Sequence, residues 1–243
     1  MLKEEFEENI KESAKEIGIL LNNKQVNEFY EYMQLLLEWN EKINLTAIIK
    51  PEEIILKHFI DSITIAKHIK KEATIIDVGT GAGFPGIPLK IIRDDINITL
   101  LDSLNKRVKF LNEVIEKLAL KNITAIHSRV EELGKNKSYR ERFDYATSRA
   151  VANLATLSEY LIPLVKLDGY TINMKGSNIE QEIQQSEKAI LVLGGQIEEI
   201  EKFQLPKSEI QRNIIWIHKI KTTPLKYPRK AGIPAKEPIN NMD

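Results

Sequence analysis

The stretch Asp77-Val78-Gly79-Thr80-Gly81-Ala82-Gly83-Phe84-Pro85-Gly86 sets one acid ahead of four glycines. Glycines at alternate positions let a backbone turn without Cβ atoms and approach a ligand closely. Two chemistries use such a turn. Gly81-Ala82-Gly83-Phe84-Pro85-Gly86 satisfies G-x-G-x-x-G, in which backbone N–H groups face a dinucleotide pyrophosphate at a helix N-terminus. Asp77-x-Gly79-x-Gly81-x-Gly83 instead has the acid-then-glycine order of enzymes that use S-adenosylmethionine (SAM). The residues suit the second better. Pro85 has no N–H to offer a phosphate, whereas Asp77 brings negative charge that suits the ammonium and sulfonium of SAM. A glycine-rich turn serving chain geometry alone is the remaining alternative.

Acidic and basic residues recur at equivalent places further along. Asp102 closes an apolar run 25 residues after Asp77, where a carboxylate can accept from both ribose hydroxyls. Asp102-Ser103 can equally cap the helix that follows. Ser128-Arg129-Val130-Glu131 comes after the next run, a position that commonly faces adenine, although Glu131 also suits the first turn of a helix. Arg149 follows the fourth run and could support the cofactor, orient a base, or pair with Asp144 or Glu131. Lys175, after the fifth run, is a second candidate beside the substrate.

The elements that must position these residues follow from periodicity. Phe6, Ile10, Ile17, Leu20 and Leu21, then Val26, Phe29, Tyr30, Met33, Leu36 and Leu37, recur at helical spacing, and the aromatic and Met stripe reads as a packed face. Pro51 suits the first position of another helix running through Ile54, Ile55, His58, Phe59, Ile63 and Ile65. From residue 73 the rhythm changes. Five β-branched runs (73–78, 96–101, 123–130, 143–148 and 169–174) alternate with helical stretches at 106–118, 154–164 and 179–193. Strands alternating with helices imply a mostly parallel sheet covered on both faces. Runs at 196–203 and 214–220 lie too close together for a crossover and read as an antiparallel pair at its edge. The expected architecture is α/β: a helical extension over residues 1–72, then a seven-stranded Rossmann-like domain over 73–243.

Composition narrows the function. The 243 residues carry 35 Lys+Arg against 35 Asp+Glu and no cysteine, which excludes disulfides, thiolate metal sites, iron–sulfur clusters and a cysteine nucleophile. The four histidines form no H-x-x-x-H pair, so no metal is expected. The N-terminus is acidic and no apolar run approaches the ~18 residues of a membrane span, so a cytoplasmic protein without membrane contact, working as a monomer, is expected. Zero net charge leaves room only for a local basic patch. From residue 212 onward, Arg212, Lys219, Lys221, Lys226, Arg229, Lys230 and Lys236 meet only Glu237 and Asp243, with Tyr227 available to stack on a base.

Several segments together resemble one family. Trp39-Asn40 with Asn44-Leu45-Thr46, His58 with Asp61-Ser62, the extended Gly-Phe-Pro-Gly-Ile-Pro form of the glycine loop, Leu101-Asp102-Ser103, Ser148-Arg149-Ala150, and Tyr227-Pro228-Arg229 with Gly232, Pro234 and Lys236 are similar to the small-subunit ribosomal RNA methyltransferase G family, also called glucose-inhibited division protein B. The resemblance covers nearly the whole chain. It implies a class I SAM-dependent methyltransferase fold and methyl transfer to N7 of a guanine in the 530 loop of bacterial 16S rRNA. It also implies cofactor contacts from Gly79, Phe84, Asp102, Ser103, Val130, Glu131 and Arg149, to which the glycine pattern adds Gly81 and Gly83. On that basis Lys175, Lys226, Arg229, Lys230 and Lys236 are candidates for RNA contact. Guanine N7 has a lone pair and no hydrogen, so such a reaction needs no general base, and no catalytic acid or base is assigned.

Overall fold

A computed structural model describes residues 1–149 and 151–239. Ala150 of the Ser148-Arg149-Ala150 signature and the final residues 240–243 lie outside the described part. The chain opens with α1 (Lys3–Glu16) and α2 (Asn23–Ile43). Asn22 and Gln25 form a reciprocal capping box at the start of α2, which satisfies two N–H groups that the helix leaves open. The expected stripe of α1 is shorter than its spacing suggested. Gly18 takes φ +78° and turns the chain, so Leu20 lies 82% exposed beyond the helix.

Pro51 opens the next segment as expected, but the run is not one α-helix. It is α-helical over α3 (Pro51–Ile54), widens to a π-helical turn over Ile55–Ile60, and returns to α geometry in α4 (Asp61–Ile63). The widened turn carries Lys57 and His58, and π-turns of this kind often mark functional positions.

Seven strands follow: β1 (Thr74–Val78), β2 (Asn97–Asp102), β3 (Ile123–His127), β4 (Phe143–Arg149), β5 (Val165–Lys175), β6 (Gly195–Gln204) and β7 (Gln211–Lys219). Their order across the sheet is β3-β2-β1-β4-β5-β7-β6, with β7 antiparallel to both neighbours and the other pairs parallel. Between them lie α5 (Gly86–Ile92), α6 (Asn105–Lys117), α7 (Val130–Leu133), α8 (Leu154–Leu161) and α9 (Glu180–Leu193), and a short α10 (Ile233–Lys236) follows β7. The third strand ends at His127, three residues before its expected end, because Val130 already begins α7. The fifth begins at Val165, four residues earlier than its apolar run, and so includes the exposed Asp168.

Alternating residues of the strands face opposite layers. Ile75, Leu100, Tyr145, Ile172 and Trp216 join one apolar cluster with Phe6, Phe29, Phe59, Phe84 and Ile87. Ile76, Val78, Leu101 and Ala146 join another beneath Leu161 and Leu164. The helices before β1 thus share a core with the sheet. At its centre the Phe59 ring lies 5.0 Å from Phe29, 5.4 Å from Tyr32 and 6.2 Å from Phe84, joining α2, the π-turn and the glycine loop. Truncating a fully buried Phe costs about 3–5 kcal/mol. Phe59→Ala should lower the unfolding free energy by about that amount in a denaturant titration, with the denaturant slope unchanged.

Candidate active site

Strand order reverses between β1 and β4, and open α/β sheets bind ligands beyond the carboxyl ends of strands at such a point. The glycine loop leaves β1 there. Gly79, Gly81 and Gly83 take φ of +67°, +61° and +100°, a region that strains any residue with a Cβ. Gly79 N and Thr80 N donate to Leu101 O at 2.8 and 3.1 Å, which ties the loop to β2. Asp77 is buried beneath the loop rather than facing the cavity: its Oδ2 accepts from Thr80 Oγ1 at 2.6 Å and from Gly86 N at 2.9 Å. Burial pushes its carboxyl up to about 6, against those two hydrogen bonds. Asp77 therefore shapes the loop from below.

Asp102 sits at the end of β2 and accepts from Gly81 N (3.0 Å) and Arg107 Nη1 (3.4 Å) through Oδ2 and from Leu104 N (2.9 Å) through Oδ1. An ionised carboxylate has about four lone-pair sites, so it keeps room for a further donor. With Ser103, Val130 and Glu131 it borders a cavity of about 180 Å³, which also touches Gly79 and Tyr160. Glu131 is buried, and its Oε1 accepts from Gly232 N at 2.9 Å, so this acid also holds the C-terminal segment in place.

A larger chamber of about 480 Å³ opens on the other side of Gly79. Its walls come from the loop (Gly79 to Ala82, Phe84), the strand ends (Arg149, Met174, Lys175, Arg212) and the helical segment before the sheet (Leu45, Thr46, Ile48, Lys57, His58, Asp61). Gly79 borders both spaces, so one elongated ligand could run from the smaller into the larger. Gly81 borders the larger one, and a Cβ added there would meet no neighbour nearer than the Gly79 carbonyl at 4.0 Å. These features fit an elongated cofactor such as SAM.

The chamber is organised around Asp61, whose side chain is only 2% exposed. It accepts from Arg149 Nη1 at 3.2 Å and from Arg212 Nε at 3.1 and 3.2 Å. Arg149, paired here rather than with Asp144 or Glu131, also donates to Lys57 O (2.9 Å) and His58 Nδ1 (3.1 Å), and lies 5.0 Å over the Phe84 ring. His58 stacks on Phe84 at 4.4 Å and 13°, and its Nε2 lies 2.9 Å from Thr46 Oγ1. Burial and the Arg149 charge push the imidazole down to about 3.

The model of rRNA small subunit methyltransferase G matches residues 25–215. The chain belongs to that family. It is 57% identical to the ribosomal RNA small subunit methyltransferase G of Desulforamulus reducens, over 95% of this chain and 97% of the relative. It is 54% identical to that of Acetivibrio thermocellus, over 94% of each. Solved structures of low identity share the fold. A ribosomal protein L11 methylase from Lactobacillus delbrueckii subsp. bulgaricus superposes with TM-score 0.51 at 17% identity, over 68% of this chain and 79% of that one. M. jannaschii TYW2 in complex with AdoMet gives 0.50 at 15% identity, over 66% and 77%.

The structure thus gathers the cofactor candidates Gly79, Gly81, Phe84, Asp102, Ser103, Val130, Glu131 and Arg149 around two adjoining spaces. Gly83 borders neither; an added Cβ there would collide with Ile87 and the Tyr32 hydroxyl, so it serves loop packing. Lys175 reaches the chamber but is held by Glu182 (2.6 Å) and Ala152 O (2.7 Å). Arg229 is clamped on buried Glu159 at 2.7 Å, whereas Lys226, Lys230 and Lys236 are exposed. Tyr227, expected to be free for stacking, is buried under the C-terminal segment. Composition and periodicity missed Thr46, Lys57, His58 and Asp61 as wall residues. For two of them, His58 and Asp61, the signal was an imidazole and a carboxylate three residues apart; Thr46 and Lys57 had none of that kind. No helix among the described residues is long and apolar enough to cross a membrane.

A neutral His58 sets a pH dependence. Its pKa lies below the ordinary 6.5, so the stability it contributes is complete above that value and is lost as pH falls from 6.5 toward about 3, where the unfolded chain takes up the proton first. The His58 ring resonance should stay flat between about pH 5 and 8, and an inflection near the ordinary imidazole value would contradict this arrangement.

Proposed function

We propose that this chain transfers a methyl group from SAM to N7 of a guanine in the 530 loop of bacterial 16S rRNA, by direct in-line attack without a general base. The observation that carries this reading is the state of the chamber's proton acceptors. Asp61 is locked between two guanidiniums. His58 has its Nδ1 facing an Arg149 donor and its Nε2 against Thr46. Neither is an unengaged base: both oxygens of Asp61 already accept from arginine, and His58 has no lone pair left. An exocyclic amine must lose a proton on methylation, whereas N7 has none to lose.

SAM supplies an electrophilic methyl group when bound, and Gly79, Gly81, Phe84, Asp102, Ser103, Val130, Glu131 and Arg149 are the residues that would hold it. The chain's own contribution is position. Fixing two reactants in line is worth up to about 7–11 kcal/mol of barrier in favourable systems, without any single indispensable side chain. Residues 1–72 act as a helical extension that supplies one wall of the chamber, ahead of a SAM-binding domain over 73–243. Lys226, Lys230 and Lys236 offer exposed charge to the phosphate backbone beside the C-terminal segment, with Lys175 nearer the base. A cytoplasmic monomer fits such a substrate.

Labelled SAM and small-subunit RNA from cells lacking the enzyme test the reading directly. Borohydride and aniline treatment should produce one new cut, in the 530 loop. Label without a cut would overturn N7 while retaining methyl transfer. Gly79→Val tests the cofactor placement: at φ +67° its Cβ would lie 2.7 Å from Val151 Cγ2. We expect SAM affinity measured by calorimetry to fall by roughly a hundredfold or more, since strain and collision act together. Unchanged affinity would mean that the cofactor lies elsewhere.

A further inference from the structure

The chamber contains a hydroxyl whose hydrogen-bonding direction is dictated by its neighbours. A guanidinium has donors and no acceptor, so His58 Nδ1, 3.1 Å from Arg149 Nη2, must be the accepting nitrogen of its ring. The ring hydrogen of the neutral imidazole is then on Nε2, and it points at Thr46 Oγ1 2.9 Å away. Ile48 N donates to the same oxygen at 3.0 Å. A hydroxyl oxygen has two lone pairs, and both are now taken. The hydroxyl hydrogen has no acceptor among the described residues, and Thr46 borders the chamber. Thr46 is therefore a donor there and cannot act as an acceptor.

We propose that Thr46 determines base specificity by donating this hydrogen to O6 of the target guanine, which leaves N7 free for the methyl group. The inference rests on the guanine-N7 reading above and adds how the base is chosen. Guanine and adenine both carry an N7 acceptor on this edge, but guanine places the O6 acceptor beside it and adenine the N6 amino donor. A fixed donor accepts guanine and faces adenine's N–H with another hydrogen. Charge points the same way. N7 methylation leaves a positive charge on the base, and the chamber already holds Arg149 and Arg212. A neutral hydroxyl reads O6 without adding a further cation. The line from Arg149 through His58 to Thr46 also polarises the hydroxyl, which strengthens it as a donor.

The test is a chemical double-mutant cycle on small-subunit RNA assembled by ligation with guanine or 2-aminopurine at the mapped position. 2-Aminopurine keeps N7 and lacks O6. Wild-type kcat/KM should fall by roughly tenfold to a hundredfold on 2-aminopurine, the range for leaving one buried partner unsatisfied. Thr46→Val should be slower on guanine yet indifferent to the change of base, and Thr46→Ser should restore the wild-type ratio. A Thr46→Val enzyme that keeps the wild-type ratio would show that the residue only supports the wall, and would overturn the inference. SAM affinity and the melting temperature of each variant establish that it has folded. If Thr46→Val does not fold, the wild-type arm decides alone, since equal rates on both bases overturn the proposal. Mapping 7-methylguanine in the wild-type product keeps the two readings apart. Its absence removes the N7 reading and this inference with it, whereas its presence with an unchanged ratio removes only the role of Thr46.

Discussion

A carboxylate taken out of water must be paired, and Asp61 is paired with two arginines from different strands. One of them, Arg149, ends β4; the other, Arg212, lies on β7. The carboxylate itself begins α4, immediately after the widened turn. This single group joins the helical layer to two strands of the sheet in the wall of the chamber. One chain of contacts on the substrate side starts from it. Arg149 is held by Asp61, His58 is given its tautomer by Arg149, and Thr46 is given its direction by His58.

Such a triad contributes little net stability, because desolvating three charges offsets much of their attraction. Its value here is geometric. Removing one partner leaves a buried charge without compensation, which ordinarily costs about 3–5 kcal/mol, so the alternatives to the observed arrangement are unfavourable. The aromatic layer beneath supports it. Phe84 lies against both His58 and Arg149, while Phe59 packs under Phe84 and Tyr32. Tyr32 in turn donates to the Ala82 carbonyl, so the face that buries α2 also steadies the glycine loop. Core packing and cofactor geometry are one construction at this point.

The two acids of the first two strands divide the work of the loop. Asp77 holds it from within through Thr80 and Gly86, while Asp102 meets it from outside through Gly81 and retains acceptor capacity toward the cavity. Both residues stand at strand ends with a similar setting in the sequence. Burial and partners separate them: one is enclosed beneath the turn, and the other borders the space a ligand would fill.

The alternation of strands and helices, the edge pair, the glycine turn and the acids at strand ends were legible in the sequence, because each depends on residues close together in the chain. A 3.6 or 2 period reports a buried face, and a turn without Cβ atoms needs its glycines in a row. The boundaries of β3 and β5 were less legible, since local apolarity does not say where a ladder partner ends. The chamber's wall belongs to the tertiary structure alone. Asp61 meets Arg149 and Arg212 across 88 and 151 residues, and no periodicity encodes such a distance. Availability was decided there too. Arg229 and Tyr227 looked free in a basic run, yet Glu159 and the packing of the C-terminal segment engage them. Sequence determines which groups a chain carries, whereas the folded contacts determine which of their lone pairs and hydrogens are left for a substrate, because each partner made across the fold removes one.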